Sequence, residues 1–139
     1  MTPYKLEIVT PERTFYKGMC ESIVLDTGSG KMGVLYGHVP VVVSLPPGEM
    51  VIKMDGEDKV AVCSGGFMEM LGKRAYIFAQ SIEWLEEIDV QRAMEAAQRA
   101  RRKLEAASNK YDRQRFIWAL ERAETRLKAI EKKQRDITK

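Results

Sequence analysis

Glycine and proline are confined to one part of this 139-residue chain. All ten glycines and all five prolines occur within residues 1–72, and the last of them is Gly72. From Asp89 to Thr138 neither residue type occurs, and Ala, Glu, Lys, Arg and Leu, which are good helix formers, dominate. The break predicts two structural units, residues 1–87 and 88–139.

The first unit has the pattern of short β-strands. Turn residues such as Asp55-Gly56 and Gly65-Gly66 separate the runs, and Asp-Gly between two apolar runs is typical of a tight hairpin. This spacing predicts an antiparallel β-sandwich or barrel. The predicted strands are Tyr4–Thr10, Ser22–Thr27, Met50–Met54, Lys59–Ser64 and Arg74–Gln80.

The second unit has the pattern of two helices that pack against each other. Apolar residues recur in steps of four and three, which places them in one seam on each helix. The seams are Ala93, Ala97, Ala100, Leu104 and Ala107, then Phe116, Leu120, Ala123, Leu127 and Ile130. Asp89 is the expected N-cap of the first helix, and Ser108-Asn109 or Asp112 is the expected break.

We therefore expect a two-helix antiparallel hairpin. About 50 residues give such a hairpin little core of its own, and an alanine seam buries little apolar area. We expect its compact form to lie within a few kcal/mol of other arrangements.

Several classes of chemistry find no support in the sequence. Cys20 and Cys63 lack a CxxC spacing and are expected to be buried thiols. The single histidine, His38, is interpreted as a turn residue and argues against most zinc and histidine-dependent catalytic sites. Neither a P-loop nor a GxGxxG motif occurs, and no apolar run has the length of a membrane span. The N-terminus lacks the pattern of a signal peptide, so we expect a cytoplasmic location or one on a membrane face reached from the cytoplasm.

Charge is distributed unevenly between the two units. Residues 1–87 carry 8 Lys/Arg against 12 Asp/Glu, a net of −4, whereas residues 88–139 carry 15 against 8, a net of +7. Arg92 and Arg99 are one heptad apart, and Arg122 and Arg126 are four apart, so each pair shares a helix face. In an antiparallel hairpin the four guanidinium groups can converge, and such clusters bind phosphate oxygens.

Two other interpretations of these arginines stay open. They can form a solvated face, or the basic hairpin can bind nucleic acid non-specifically. Tyr111, Phe116 and Trp118 lie near the predicted turn rather than along the basic face, which argues against base stacking.

Three motifs resemble those of one protein family. Residues 30–40 read GKMGVLYGHVP, followed by Leu45 and Gly48; residues 64–70 read SGGFMEM, and residues 88–93 read IDVQRA. Their order and spacing, and the chain length, resemble the epsilon subunit of bacterial F-type ATP synthases, with Tyr36 where proline is common. The resemblance covers the whole chain.

The resemblance implies an N-terminal β-sandwich of about ten strands, a C-terminal helical hairpin and no catalytic activity of its own. It implies a subunit of the central stalk, bound to the gamma subunit and the ring of c subunits. The extended helices would block ATP hydrolysis by reaching the beta and alpha subunits. Contact with the membrane would come only through the complex, at the cytoplasmic face of the cell membrane, and no nucleic acid would be bound.

In Bacillus-type members of that family the hairpin binds one ATP, which is not hydrolysed. The matching positions for adenine and ribose are Glu83, Ile88, Asp89 and Ala93. Those around the phosphates are Arg92, Arg99, Arg122 and Arg126. The resemblance implies ATP as a regulatory ligand and leaves the need for Mg²⁺ open.

Overall fold

The computed structural model describes the backbone of residues 1–138; Lys139, the last residue of the predicted second unit, lies outside the described residues. Contacts divide the chain into two compact units, Met1–Trp84 and Leu85–Lys139. The first is built of strands and the second of helices.

The first unit is a β-sandwich of two five-stranded sheets, which confirms the predicted fold class. The first sheet has the order β2-β1-β9-β8-β5 and the second the order β10-β7-β6-β3-β4. Nearly all neighbours are antiparallel, but β1 and β9 are parallel. The first-sheet strands are β1 (Tyr4–Val9), β2 (Thr14–Cys20), β5 (Val41–Leu45), β8 (Gly66–Met70) and β9 (Arg74–Ala79). The second-sheet strands are β3 (Ser22–Thr27), β4 (Gly30–Leu35), β6 (Gly48–Met54), β7 (Glu57–Cys63) and β10 (Ile82–Trp84).

Alternating burial along the strands builds one apolar core between the sheets. Leu6 and Ile8 of β1, and Ile23 of β3, are almost completely buried, while their strand neighbours face outward. The hydroxyl of Tyr4 donates to the carbonyl of Val34 on the opposite sheet at 2.7 Å. This bond lets a polar group enter the core without an unsatisfied donor.

Two glycine-dependent positions define the strand connections. Asp55 and Gly56 both have positive φ, 52° and 78°, and close a two-residue turn between β6 and β7, as predicted. Gly66, with φ 154°, begins β8 so close to β9 that an added Cβ would overlap the carbonyl oxygen of Phe78. Only glycine fits there.

The second unit begins with a 3-10 turn, Leu85–Glu87, followed by α1 (Val90–Ala106) and α2 (Lys110–Thr138). The 3-10 turn contacts α2, and the two helices pack against each other along their length. The break between them falls at Ser108-Asn109, because the Asn109 side chain accepts a hydrogen bond from the backbone N–H of Asp112 at 2.9 Å. Asp112, the alternative break, lies inside α2.

Candidate functional site

The first turn of α1 is fixed by Asp89. Its carboxylate accepts a hydrogen bond from the backbone N–H of Arg92 at 3.1 Å, which confirms the predicted N-cap. The N–H of Ile88 donates to the carbonyl of Leu85, so the preceding turn is closed as well. Since one carboxylate oxygen of Asp89 is used by the helix, only the rest of this turn is available to a ligand.

The alanine seam of α1 is confirmed. Ala93, Ala97 and Ala100 are all at most 5% exposed. On α2, Ala123 is buried as expected, and Ala129, one position before the predicted Ile130, is buried too. Ala93 thus lies in a packed surface, and the approach of a nucleobase to it stays a prediction.

One ion pair shows which sides of the two helices meet. The guanidinium of Arg101 lies 3.5 Å from the carboxylate of Glu124. Arg101 follows the buried Ala100, and Glu124 follows the buried Ala123. Residues that directly follow seam residues lie along one side of each helix. In this antiparallel pair, that side of α1 therefore faces the corresponding side of α2.

The predicted phosphate-binding arginines lie on the opposite side. Each residue step turns a helix by about 100°, so a residue before the seam and a residue after it point to different sides. Arg92 and Arg99 directly precede seam residues of α1, and Arg122 and Arg126 directly precede seam residues of α2. All four share one side of the hairpin, which we call the basic flank.

The basic flank extends further than the sequence motifs indicated. Lys103 Nζ lies 5.8 Å, and the Arg115 guanidinium 5.0 Å, from the centre of the Phe116 ring. Both residues directly precede seam residues, and cations of both helices thus meet at one aromatic ring. Neither Lys103 nor Arg115 was among the predicted phosphate-binding residues, although the position of each directly before a seam residue indicates that it lies on this side. The remaining pre-seam positions, Ala96, Ala106, Ala119 and Ala129, are all alanine.

The four arginines do not lie at one level. Arg99 precedes Arg101 by two residues and Arg126 follows Glu124 by two, which is the same direction along an antiparallel hairpin. Arg99 and Arg126 therefore lie at the same height along the hairpin axis to within about one turn. Arg92 lies two turns further, about 10 Å, towards the start of α1. Arg92, Arg99 and Arg122 are exposed and Arg126 is half-buried. The basic flank is therefore elongated, which suits an extended anion.

Glu83 belongs to the first unit, whereas the other seven predicted ligand residues belong to the second. It is a half-buried residue of β10, opposite Val62 of β7. Its predicted role in holding adenine or ribose stays a prediction.

Two large aromatic side chains are exposed beside the basic flank. Tyr111 is 77% and Trp118 56% exposed. With Arg115 and Arg122 they follow steps of four, three and four along α2 and so share one face. The expectation that the aromatics are separate from the basic face is therefore wrong for these two, whereas Phe116 is half-buried between the helices.

The buried thiols have the properties of inert core residues. Neither Cys20 nor Cys63 forms a disulfide, and both are buried, as predicted. Burial raises the pKa of Cys20 to about 11 and also raises that of Cys63. A raised thiol pKa keeps the group protonated, so neither cysteine is an activated nucleophile.

His38 lies in the connection between β4 and β5, where its ring nitrogen contacts the carbonyl of Val39. Among the described residues, no group of three or more His, Cys, Asp or Glu side chains is arranged to hold a metal ion. None of the described helices is both long and apolar enough to cross a membrane.

Family models match nearly the whole chain in two adjoining parts. Residues 3–85 match the β-sandwich domain of the ATP synthase delta/epsilon chain. Residues 86–131 match the long alpha-helix domain of the same family.

Proteins with similar sequences are named ATP synthase epsilon chain. An ATP synthase epsilon chain from Caldicellulosiruptor bescii is 39% identical over 99% of this chain and 100% of its own length. One from Bacillus velezensis is 39% identical over 91% of this chain and 96% of its own.

Solved structures agree with these matches. A chain in the Euglena gracilis mitochondrial ATP synthase (OSCP/F1/c-ring) superposes with a TM-score of 0.80 at 27% identity, covering 94% of this chain and 82% of that one. A chain in the central stalk/c-ring structure from Tetrahymena thermophila, at 15% identity and a TM-score of 0.52, shows a common fold alone, over 60% of this chain and 68% of that one.

Proposed function

The chain belongs to the ATP synthase delta/epsilon family as an epsilon chain, and from this premise we propose that it is a non-catalytic regulatory subunit whose helical hairpin is held compact by ATP. The β-sandwich joins the gamma subunit to the ring of c subunits in the central stalk. The complex places it at the cytoplasmic face of the cell membrane as a peripheral protein. When ATP is scarce, the helices extend and block ATP hydrolysis through the beta and alpha subunits.

The basic flank is the observation that supports this proposal. It brings Arg99 and Lys103 of α1 to the same side of the hairpin as Arg115 and Arg122 of α2, and neighbouring like charges repel. Two changes relieve the repulsion: a polyanion can bind the flank, or the helices can separate. The same charges that recruit a triphosphate therefore favour opening when it is absent.

The individual roles follow from position. Arg99, Arg122 and Arg126 contact the phosphates from both helices, and Arg92 contacts them from the first turn of α1. The nucleoside lies at the N-terminal end of α1, at the turn that Ile88, Asp89 and Ala93 form; for Glu83, the family resemblance alone implies a role in holding the nucleoside. In this proposal ATP is a regulatory ligand that stays bound and is not hydrolysed.

Binding energy limits what the switch can do. At an ATP concentration about 100 times the dissociation constant, a ligand specific for the compact form stabilises it by about 2.7 kcal/mol. This suffices because the alanine seam makes the compact form only marginally stable. Straightened, α1 and α2 with their connection span about 75 Å at about 1.5 Å per residue, a length that reaches from the stalk into a catalytic head.

The switch is tested in the assembled complex. Complexes are reconstituted with the full chain or with residues 1–87 alone, and ATP hydrolysis is measured over a range of ATP concentrations. We expect the full chain to inhibit at low ATP and the truncated chain to give full activity there, with no difference at high ATP. Equal activity of both complexes at low ATP contradicts the inhibitory role.

The exposed Tyr111 and Trp118 support a second candidate, binding of single-stranded nucleic acid by the hairpin. Aromatic and arginine side chains alternate on this face, as in proteins that stack bases. Salt-dependent binding of single-stranded RNA at sub-micromolar protein, lost in Trp118→Ser, would favour this function. We expect no such binding.

A further inference from the structure

A second cluster of cations lies on the β-sandwich, around a cleft of about 370 Å³ on the outer side of β2, β1 and β9. Lys5, Lys17, Arg74 and Glu7 line it. Lys5 pairs with Arg74 across the parallel β1–β9 ladder, and Glu7 pairs with Lys17 across β1–β2. These side chains alternate with buried Leu6 and Ile8, and so point away from the core.

One cross-strand pair of this cluster is unfavourable in the protein alone. Like charges placed directly opposite each other on neighbouring strands destabilise a sheet. Lys5 and Arg74 are in that position, whereas Lys17 lies opposite Glu7, which carries the opposite charge. Among the side chains that the structure describes, Lys5, Lys17 and Arg74 form no hydrogen bond or ion pair with one another or with Glu7. An anion in the cleft would offset this repulsion.

The composition of the cleft indicates the class of anion. Three cations and one carboxylate leave an excess of two positive charges, which matches the charge of about −1.5 to −2 on a phosphate monoester at neutral pH. The planar guanidinium of Arg74 fits two phosphate oxygens at once. The half-buried Glu7 can accept a hydrogen bond from a hydroxyl next to the phosphate, and Met19, 48% exposed, offers apolar surface to the organic part.

We propose that this cleft is a second anion-binding site, which takes the phosphate group of an organic phosphate ester and is separate from the basic flank of the helices. The ester is either a soluble molecule or the headgroup of an anionic phospholipid. The two sources share the same phosphate chemistry and are distinguished below.

The test uses the full chain carrying Arg92→Ala and Arg126→Ala, which weakens anion binding by the basic flank equally in all the chains compared. Glycerol 3-phosphate binding is measured by calorimetry, and vesicle binding by sedimentation with phosphatidic acid–phosphatidylcholine vesicles. The site variant adds Lys5→Gln and Arg74→Gln. The matched control instead carries Arg13→Gln and Lys73→Gln: both are exposed residues of the first unit, and neither lines the cleft.

We expect the chain to bind at least one of the two probes, and the site variant to bind it at least about tenfold more weakly than the control, because Arg74 forms charge-assisted hydrogen bonds. Binding of glycerol 3-phosphate identifies a soluble ester as the source, and binding of vesicles alone identifies a lipid headgroup. Equal affinity of the site variant and the control, or no binding of either probe, overturns the proposal.

Discussion

Arg101 of α1 and Glu124 of α2 form an ion pair with 3.5 Å between guanidinium nitrogen and carboxylate oxygen. The contact joins the two helices on the side that follows the seam. Because it occupies that side, the arginines that precede the seam are left together on the other side. The basic flank therefore results from the way in which α1 and α2 pack against each other.

A charge-reversal cycle tests this arrangement. Arg101→Glu places two carboxylates together and is expected to lower the helical melting temperature, and adding Glu124→Arg is expected to restore it. Both side chains are partly exposed, so the coupling free energy should be at most about 1 kcal/mol. Circular dichroism of Arg101→Glu, Glu124→Arg and the double variant at low salt measures this coupling free energy. Strictly additive effects would mean that these sides do not meet in solution.

The N-cap of α1 can be tested separately. Asp89→Ala removes the acceptor for the N–H of Arg92 and should destabilise the first turn by about 0.5–2 kcal/mol, whereas Asp89→Asn keeps an acceptor and should cost less. Amide hydrogen exchange at Arg92 and Ala93 measures the difference. Identical exchange in both variants would show that the side-chain bond does not stabilise the turn.

The alanine seam should tolerate no larger residue. Ala97 is 1% exposed, so Ala97→Leu overpacks the helix interface and is expected to destabilise the compact hairpin by about 1–3 kcal/mol. Gln98→Leu, at the exposed neighbouring position, is the matched control and should change the stability by less than about 0.5 kcal/mol. Chemical denaturation followed by circular dichroism gives both values. Equal stability of the two variants argues against a packed seam at Ala97.

Alkaline pH should destabilise the β-sandwich through Cys20. Burial raises the pKa of its thiol from an ordinary value near 9 to about 11. Below pH 9 the thiol is protonated in both states and has no effect. Between pH 9 and 11 the unfolded chain releases the proton while the folded chain keeps it, so the unfolding free energy falls by about 1.4 kcal/mol per pH unit, about 2–3 kcal/mol in all.

Urea unfolding at pH 8, 9, 10 and 11 checks this slope. The buried Tyr4, whose pKa is also raised by burial, adds to the loss at the upper end. Cys20→Ala should unfold at lower urea throughout but lose less stability between pH 9 and 10. An unchanged slope in Cys20→Ala assigns the alkaline loss to other groups.

Most of the fold follows from local sequence patterns. Glycine and proline placement predicted where strands give way to helices, and the Asp-Gly pair predicted the hairpin at Asp55-Gly56. The cap at Asp89 was predicted from a carboxylate at the start of a helical pattern, and each of these features depends on neighbouring residues. The parallel pairing of β1 with β9 does not follow from such patterns. It joins residues about 70 positions apart and is decided by packing of the whole sandwich. The local patterns also did not predict five of the ten strands, Thr14–Cys20, Gly30–Leu35, Val41–Leu45, Gly66–Met70 and Ile82–Trp84. At Gly66–Met70 the Gly65-Gly66 pair suggests a turn, although Gly66 begins the strand.

The sequence predicted which residues belong to the candidate site, but not how those residues are arranged in space. The spacing of Arg92 with Arg99, and of Arg122 with Arg126, shows that each pair shares a face of its own helix. Which faces meet depends on the packing of α1 against α2, and only the contact of Arg101 with Glu124 reveals it. The cations at Phe116 come from both helices, so no pattern within one helix identifies them as neighbours.

Calorimetric titration of the isolated chain with ATP, with and without Mg²⁺, tests the central claim most directly. Three chains are compared: the unchanged chain, Arg92→Ala with Arg126→Ala on the basic flank, and Arg102→Ala with Arg113→Ala as an equally charged control of exposed arginines outside it. The account predicts one saturable site in the unchanged chain and the control, and an affinity at least about tenfold lower in the flank variant. No binding at millimolar ATP, or equal affinity in all three chains, would contradict it.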